Sequence, residues 1–251
     1  MRSEPIQILA LAGLPEVIAR DDVGSLILRA VKENAFVMAA GDVFVIAQKI
    51  ISKAEGRTVS LDSIEPSQKA AKWAADYKKD PRLIELVLRE AKRIVRMERG
   101  VIVAETSHGF ICANAGVDAS NVAEGTALLL PEDPDRSARA LHDQLTAALG
   151  VSLGVIVSDT FGRPWREGLV NVALGVAGIS PLLDYRGQRD TSGKLLSATV
   201  IAIADEIASA AELVMGKTSR TPVAIVRGLP TSDDSGSGRD LMRAPQIDIF
   251  R

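Results

Sequence analysis

Val101-Ile102-Val103-Ala104 and Gly109-Phe110-Ile111-Cys112, separated by Glu105-Thr106-Ser107-His108, decide the fold class. Two short runs rich in β-branched and aromatic residues, joined by four polar positions, read as an antiparallel hairpin. Further strand candidates are Ile6–Leu11, Asp42–Ala47, Gly154–Ser158 and Val223–Val226. Several are apolar at consecutive positions, which predicts burial on both faces. Helical patterns lie between them with no regular strand–helix–strand repeat. The mixture predicts an α+β fold, two-lobed, with largely antiparallel sheets and packed helices, rather than a doubly wound parallel sheet.

Working outward, Ser25 to Asn34 and Ser67 to Lys79 read as helices. Asp80-Pro81 opens a third, a capping carboxylate followed by proline at the first helical position. Ile84, Leu88, Ala91 and Val95 then make one stripe at helical spacing, with Gly100 as the stop. Asp133-Pro134 opens a fourth helix closed by Gly150, and Asp205 to Met215, ended by Gly216, is a fifth. Residues 1–251 read as one unit, with a lobe boundary near 131–150 where composition changes at Pro131-Glu132-Asp133-Pro134. Thr231 to Gly238 is low in complexity and reads as a mobile surface loop.

The 251 residues are 47% hydrophobic but only 4% aromatic, so the core must be aliphatic. Thirty Lys+Arg against 32 Asp+Glu leave a net charge of −2, which excludes binding to nucleic acid or anionic membrane by bulk charge. One cysteine, Cys112, excludes an intrachain disulfide and a cysteine-rich metal site and fits a reducing compartment. The longest charge-free stretch, Leu169 to Leu183, is shorter than the roughly 20 apolar residues of a bilayer span. The apolar run at the N-terminus is too short for an export signal. The expectation is a cytoplasmic protein with neither membrane nor nucleic acid as partner.

Three segments could carry chemistry. Asn114-Ala115-Gly116-Val117-Asp118-Ala119-Ser120-Asn121 packs one Asp and two Asn into eight positions, which a plain turn would also explain. In Val155-Ile156-Val157-Ser158-Asp159-Thr160-Phe161-Gly162-Arg163 an apolar strand delivers an Asp-Thr pair to its end. Adjacent carboxylate and hydroxyl oxygens suit a hard divalent ion, and the guanidinium forks of Arg163 and Arg166 suit carboxylate or phosphate oxygens. Gln48-Lys49-Ile50-Ile51-Ser52-Lys53, straight after a strand, could hold phosphates or be a charged surface turn. Familiar alternatives are absent: no GxxxxGK[ST], no GxGxxG after a strand, no GxSxG, and no histidine pair at metal-ligand spacing. Cys112 sits at an apolar strand position and reads as a buried, inert thiol.

Taken in order, the segments resemble the coenzyme F420:L-glutamate ligase family over nearly the whole chain. The resemblance is carried by Gly13-Leu14-Pro15, Gly41-Asp42-Val43, Ile51 to Arg57, Asn114 to Asn121, Ser158 to Arg163, Ala204 to Ala208, Met215-Gly216 and Val226 to Leu229. It implies a homodimeric, GTP-dependent amide ligase that joins L-glutamate to the lactyl carboxylate of F420-0 and then extends through the γ-carboxylate. It implies two divalent ions per subunit, Mg²⁺ or Mn²⁺, with K⁺ also helpful. By position, Asp118 and Asp159 match ligands of one metal and Thr160 a ligand of the second. Leu14, Pro15, Glu16, Val17, Gln48, Lys49, Lys53 and Asn121 match GTP contacts, and the segment after Met215 belongs to the nucleotide site in the family. One position departs: where some members have an acidic residue after Met-Gly, associated with the second metal, this chain has Lys217. Either a backbone carbonyl or water takes that place, or Lys217 contacts phosphate.

The residue inventory fits such a ligase independently. A carboxylate condenses with an amine only after activation, and phosphoryl transfer needs mainly positioning and charge neutralisation. Two separated aspartates, several cations including Arg163, and no obvious covalent nucleophile suit that chemistry. A nucleotide-dependent ligase on another carboxylated cofactor, or a non-catalytic GTP-binding regulator of the same fold, are the alternatives.

Overall fold

The computed structural model describes residues 5–229 and 236–248. The first half of the chain runs β1 (Gln7–Ala10), α1 (Val23–Glu33), β2 (Val43–Ala47), α2 (Gln48–Ala54), β3 (Thr58–Ser60), α3 (Gln68–Tyr77), α4 (Pro81–Glu90), β4 (Ala91–Glu98), β5 (Val101–Thr106), β6 (Ile111–Ala113) and β7 (Thr126–Leu128). The second half runs α5 (Pro134–Leu149), β8 (Gly154–Arg163), β9 (Arg166–Ala177), β10 (Leu183–Asp184), β11 (Val200–Ile201), α6 (Ile203–Met215) and β12 (Val223–Arg227).

The consecutively apolar runs form the central sheet, in the order β1-β12-β2-β8-β9. Only β2 and β8 pair in parallel; every other neighbour is antiparallel. Alternate side chains of each strand point to opposite faces. Phe44, Ile46, Val155 and Val157 therefore pack with Ile27 of α1, Ile51 of α2 and Leu141 and Leu145 of α5. Val43, Val45 and Ile156 pack on the other side with Ala204, Ile207, Ala208 and Ala211 of α6. Each large side chain buried this way contributes about 1.5–3 kcal/mol. After α2 the chain leaves this sheet and builds a second core from α3, α4, the sheet β4-β5-β6 and the ribbon β3–β7, with Ile84, Val87, Ile102, Ala104 and Ala127 at its centre. It rejoins the first core in α5. The fold is α+β, as expected.

The expected hairpin is β5–β6, with Ala104 opposite Cys112. Caps also fall where the sequence places them. Asp80 accepts from the Arg82 amide with Pro81 at the first turn, and Asp133 accepts from the Arg136 amide with Pro134 behind it.

The third helix is a correction. It stops at Glu90, and Ala91–Glu98 is the strand β4, paired with β5 (Ile94↔Ala104, Met97↔Ile102). The β-branched pair Ile94-Val95 gains more from cross-strand pairing than from extending a helical stripe. Ile94 and Met97 reach the second core, and Lys92 and Arg93 both bind the buried Glu105 carboxylate. Val95, expected inside, is outside. Gly100 is no helix stop: with Arg99 it makes a two-residue hairpin turn, φ 51° and 75°. Such turns need positive φ at both central positions.

Two smaller expectations also change. Asp159-Thr160 lies within a strand, not at its end, because β8 continues to Arg163 against β9, which uses most of the charge-free stretch. Gln48 to Ala54 is helix α2 rather than a surface turn. Of the loop expected over 231–238, Thr231–Ser235 lies outside the described residues. Gly236 to Gly238 is fixed in place: the Ser237 hydroxyl and Gly238 amide donate to the buried Asp135 carboxylate at 2.6 and 2.7 Å. A Cβ on Gly238 would stand 2.3 Å from the Leu174 carbonyl oxygen, so only glycine fits there.

Candidate active site

A turn from the second core and a strand of the central sheet bring the candidate residues together. Asn114, Ala115 and Gly116 all take positive φ, and a Cβ on Gly116 would collide with Leu130 at 2.5 Å. This tight turn delivers Asp118, whose backbone pairs in both directions with Leu128 at the end of the β3–β7 ribbon. On the central sheet, a register shift between Val157 and Ser158 precedes Asp159. Bulges of this kind re-aim side chains and recur beside active sites.

The Asp118 carboxylate is well held. Its Oδ1 accepts from the Ser120 amide at 2.6 Å, and its Oδ2 pairs with Lys49 Nζ at 2.7 Å. Lys49 also donates to the Ser120 hydroxyl at 2.7 Å. Burial alone would raise the Asp118 pKa, but the Lys49 and Ser120 hydrogen bonds outweigh it and hold the group below the usual carboxylate range. Asp159 is the opposite case. Burial pushes it up to about 6, and the negative field of Asp118 adds to that, against a Thr160 hydrogen bond and the Lys217 and Lys49 ammonium groups. The two carboxylates thus lie within each other's field, a charge arrangement that a divalent cation relieves. Cys112 nearby is pushed up to about 12, by burial first and by Asp159 second, and is inert as a nucleophile.

Thr160 sits in a separate polar ring. Its hydroxyl donates to Asn171 Oδ1 at 2.6 Å, and Asn171 Nδ2 donates to Glu212 Oε2 at 3.0 Å. Lys217 Nζ donates to Thr160 Oγ1 and lies 3.8 Å from Glu212 Oε1. Sequence reasoning missed Asn171 and Glu212. A lone Asn within the apolar run of β9 was the available signal, since a buried amide needs partners.

Lys53, Glu16, Val17, Thr58 and Asn121 line a cleft of about 460 Å³. Lys53 pairs there with Glu16 at 2.5 Å. Of the expected nucleotide contacts, Pro15 is exposed, while Leu14 and the cleft-lining Val17 pack against the first core and can offer a ligand little but backbone. Gln48 is buried, accepting from the Ser52 hydroxyl at 2.7 Å. Arg163 follows Asp159 on the same strand. It lies four residues further along β8, roughly 13 Å at strand spacing, and donates to the Glu167 carbonyl at 2.8 Å. Among the described residues, no group of three or more His, Cys, Asp or Glu is arranged to hold a metal, and no helix is long and apolar enough to cross a membrane.

Comparison with known proteins gives consistent matches. The family model described as F420-0:Gamma-glutamyl ligase matches residues 13–228. The chain is 47% identical to the coenzyme F420:L-glutamate ligase of Methanothermobacter thermautotrophicus over 249 residues, covering 98% of this chain and 99% of that protein. It is 48% identical to the enzyme of the same name from Methanopyrus kandleri, covering 92% of each. It is 43% identical to that of Haloarcula marismortui, covering 98% of this chain and 96% of the relative.

Proposed function

The chain belongs to the F420-0:gamma-glutamyl ligase family, and from that premise we propose that it is a GTP-dependent ligase adding L-glutamate to coenzyme F420-0. The first amide forms at the lactyl carboxylate and later ones at the γ-carboxylate. The observation that best supports this reading is the juxtaposition of Asp118, Asp159 and Lys49 with a cleft that carries Lys53 and Asn121.

The proposed chemistry has two steps. The carboxylate oxygen of F420-0 takes the γ-phosphoryl group of GTP, forming an acyl phosphate as the bond to GDP breaks. The glutamate amine then attacks the acyl carbon, phosphate leaves with the C–O electron pair, and the nitrogen loses a proton. Lys49 keeps Asp118 ionised and fixed, and Lys53 holds phosphate oxygens as a point charge. Asp118 and Asp159 would hold a Mg²⁺ or Mn²⁺ ion, for which two carboxylates within each other's field, one hydrogen-bonded and one buried, are a fitting donor set. Such an ion supplies charge neutralisation for the transferring phosphoryl group. We include K⁺ as an activator, so that exchanging K⁺ for Na⁺ lowers turnover. The test of the reaction is GDP release. Release that needs both F420-0 and glutamate supports a ligase, whereas GTP binding with no acceptor-dependent turnover leaves only a regulator.

In the structure Glu16 occupies Lys53, so nucleotide phosphate has to displace that carboxylate. A charge-assisted hydrogen bond contributes roughly 1.5–3 kcal/mol. Lys53→Ala is therefore expected to raise the KM for GTP by about tenfold or more, with the KM for glutamate little changed. Unchanged GTP kinetics in the folded variant would remove Lys53 from the nucleotide site.

We also propose a cytoplasmic homodimer. Trp165 and Leu169, at the end of the β8–β9 hairpin, are 84% and 65% exposed and offer a second copy an apolar contact. Sedimentation at micromolar concentration is expected to give twice the chain mass; a 26.7 kDa species would contradict it.

A further inference from the structure

Lys217 occupies the place where a second cation would be expected to act, and the polar ring around Thr160 explains how. Asn171 is buried and held at both ends, by Thr160 and by Glu212. The Thr160 proton is thereby committed to Asn171, and the hydroxyl lone pairs point away from it. A hydroxyl oriented in this way is a natural ligand for a hard cation. Here the lone pairs already accept from the Lys217 ammonium, with the Glu212 carboxylate 3.8 Å beyond. The same ammonium acts on Asp159, whose charged form it favours. A divalent ion at Thr160 would meet this like charge, which already holds the lone pairs the ion would need. The donor set does not fit a second metal.

We propose that the Lys217 ammonium replaces a second divalent cation at Thr160, so that each chain binds one divalent ion, at Asp118 and Asp159, and presents Lys217 as the second positive charge toward the nucleotide phosphates. A compact ammonium with three donors can hold the hydroxyl and a phosphate oxygen together. Lys217 is a phosphate contact in this role, with Asn171 and Glu212 orienting the Thr160 hydroxyl that holds it. The inference rests on the metal-dependent ligase reading above.

The test counts bound metal rather than activity. Equilibrium dialysis of the wild-type protein with Mn²⁺ and a non-hydrolysable GTP analogue, followed by electron paramagnetic resonance of the retained ions, is expected to give one Mn²⁺ per chain with no spin coupling. Lys217→Glu removes the ammonium and adds a carboxylate. It is expected to double the count to two, with a spin-coupled spectrum. The Lys217 side chain is 59% exposed, so the substitution leaves the core intact. Two coupled ions in the wild-type protein would overturn the inference while leaving the metal-dependent reading in place. No bound Mn²⁺ in the wild-type protein would overturn both. A count that stays at one in Lys217→Glu would show that the ammonium is not what excludes the second ion.

Discussion

Asp159→Asn is expected to abolish ligation, with a loss of at least about a thousandfold, while the protein stays folded; Asp118→Asn is expected to do the same. On the proposed mechanism, several kcal/mol of charge stabilisation at the transferring phosphoryl group would come from an ion that neither amide can hold as a carboxylate does. The two variants differ in what they do to the metal-free protein. Asp159 is raised to about 6 in the folded state, by burial first and by Asp118 as well, from an ordinary value near 3.8. A group raised in this way contributes stability at low pH that is lost as the pH rises through its folded pKa. Metal-free wild type is therefore expected to gain stability as the pH falls from about 7 toward 4. At neutral pH Asp159→Asn is expected to melt higher than the metal-free wild type, by an amount worth about 1–3 kcal/mol. Asp118→Asn instead loses the Lys49 ion pair, which offsets its relief of the Asp159 field. Stabilisation by added Mn²⁺ should shrink in both, because the ion then has less affinity for the native state to contribute. A melting series over Mn²⁺ concentration with a parallel activity assay checks all of this, and wild-type turnover in either variant would remove that aspartate from the site.

Asp42→Ala is expected to cost about 2–3 kcal/mol of stability, the range for losing charge-assisted hydrogen bonds of a pair that is buried on one side and partly exposed on the other. Asp42 is fully buried at the start of β2, and its carboxylate accepts from Arg227 Nε at 2.7 Å and Arg227 Nη2 at 2.6 Å. It also accepts from the Ala39 amide at 2.8 Å. The substitution leaves a guanidinium and a backbone N–H without that partner, and it loosens the end of β2 that pairs with β12 at Val226. Urea midpoints check the cost, and a midpoint within error of wild type would contradict it. The double variant Asp42→Leu with Arg227→Met is expected to be more stable than Asp42→Ala alone, because no half-buried charge is then left without its partner.

Much of the fold was legible because local and long-range preferences agree. Strands β2, β8 and β12 are consecutively apolar, and the Asp-Pro openings of α4 and α5 are caps that need no tertiary help. Strand β4 was not legible, since Ile84, Leu88, Ala91 and Val95 satisfy a helical period and only pairing with β5 decides otherwise. The three-residue strands β3 and β7 carry too little pattern to be seen alone; their pairing across the chain makes them strands. At the site, residue types near strand ends pointed to Lys49, Lys53 and Asp159 separately. Nothing local says that Asp118 and Asp159, from different cores, share one field; that expectation came from the family resemblance. The Thr160–Asn171–Glu212–Lys217 ring spans two strands and a helix terminus, so no spacing rule could have assembled it.

The most direct test of the central claim is mass spectrometry of the product formed from F420-0, L-glutamate, GTP and Mn²⁺ by the purified wild-type protein. The account predicts an F420-0 species heavier by whole glutamyl residues, with GDP and phosphate formed in step with each amide bond and no product when GTP or glutamate is omitted. Unmodified F420-0 after full incubation, or glutamate addition that proceeds without GTP, would contradict it.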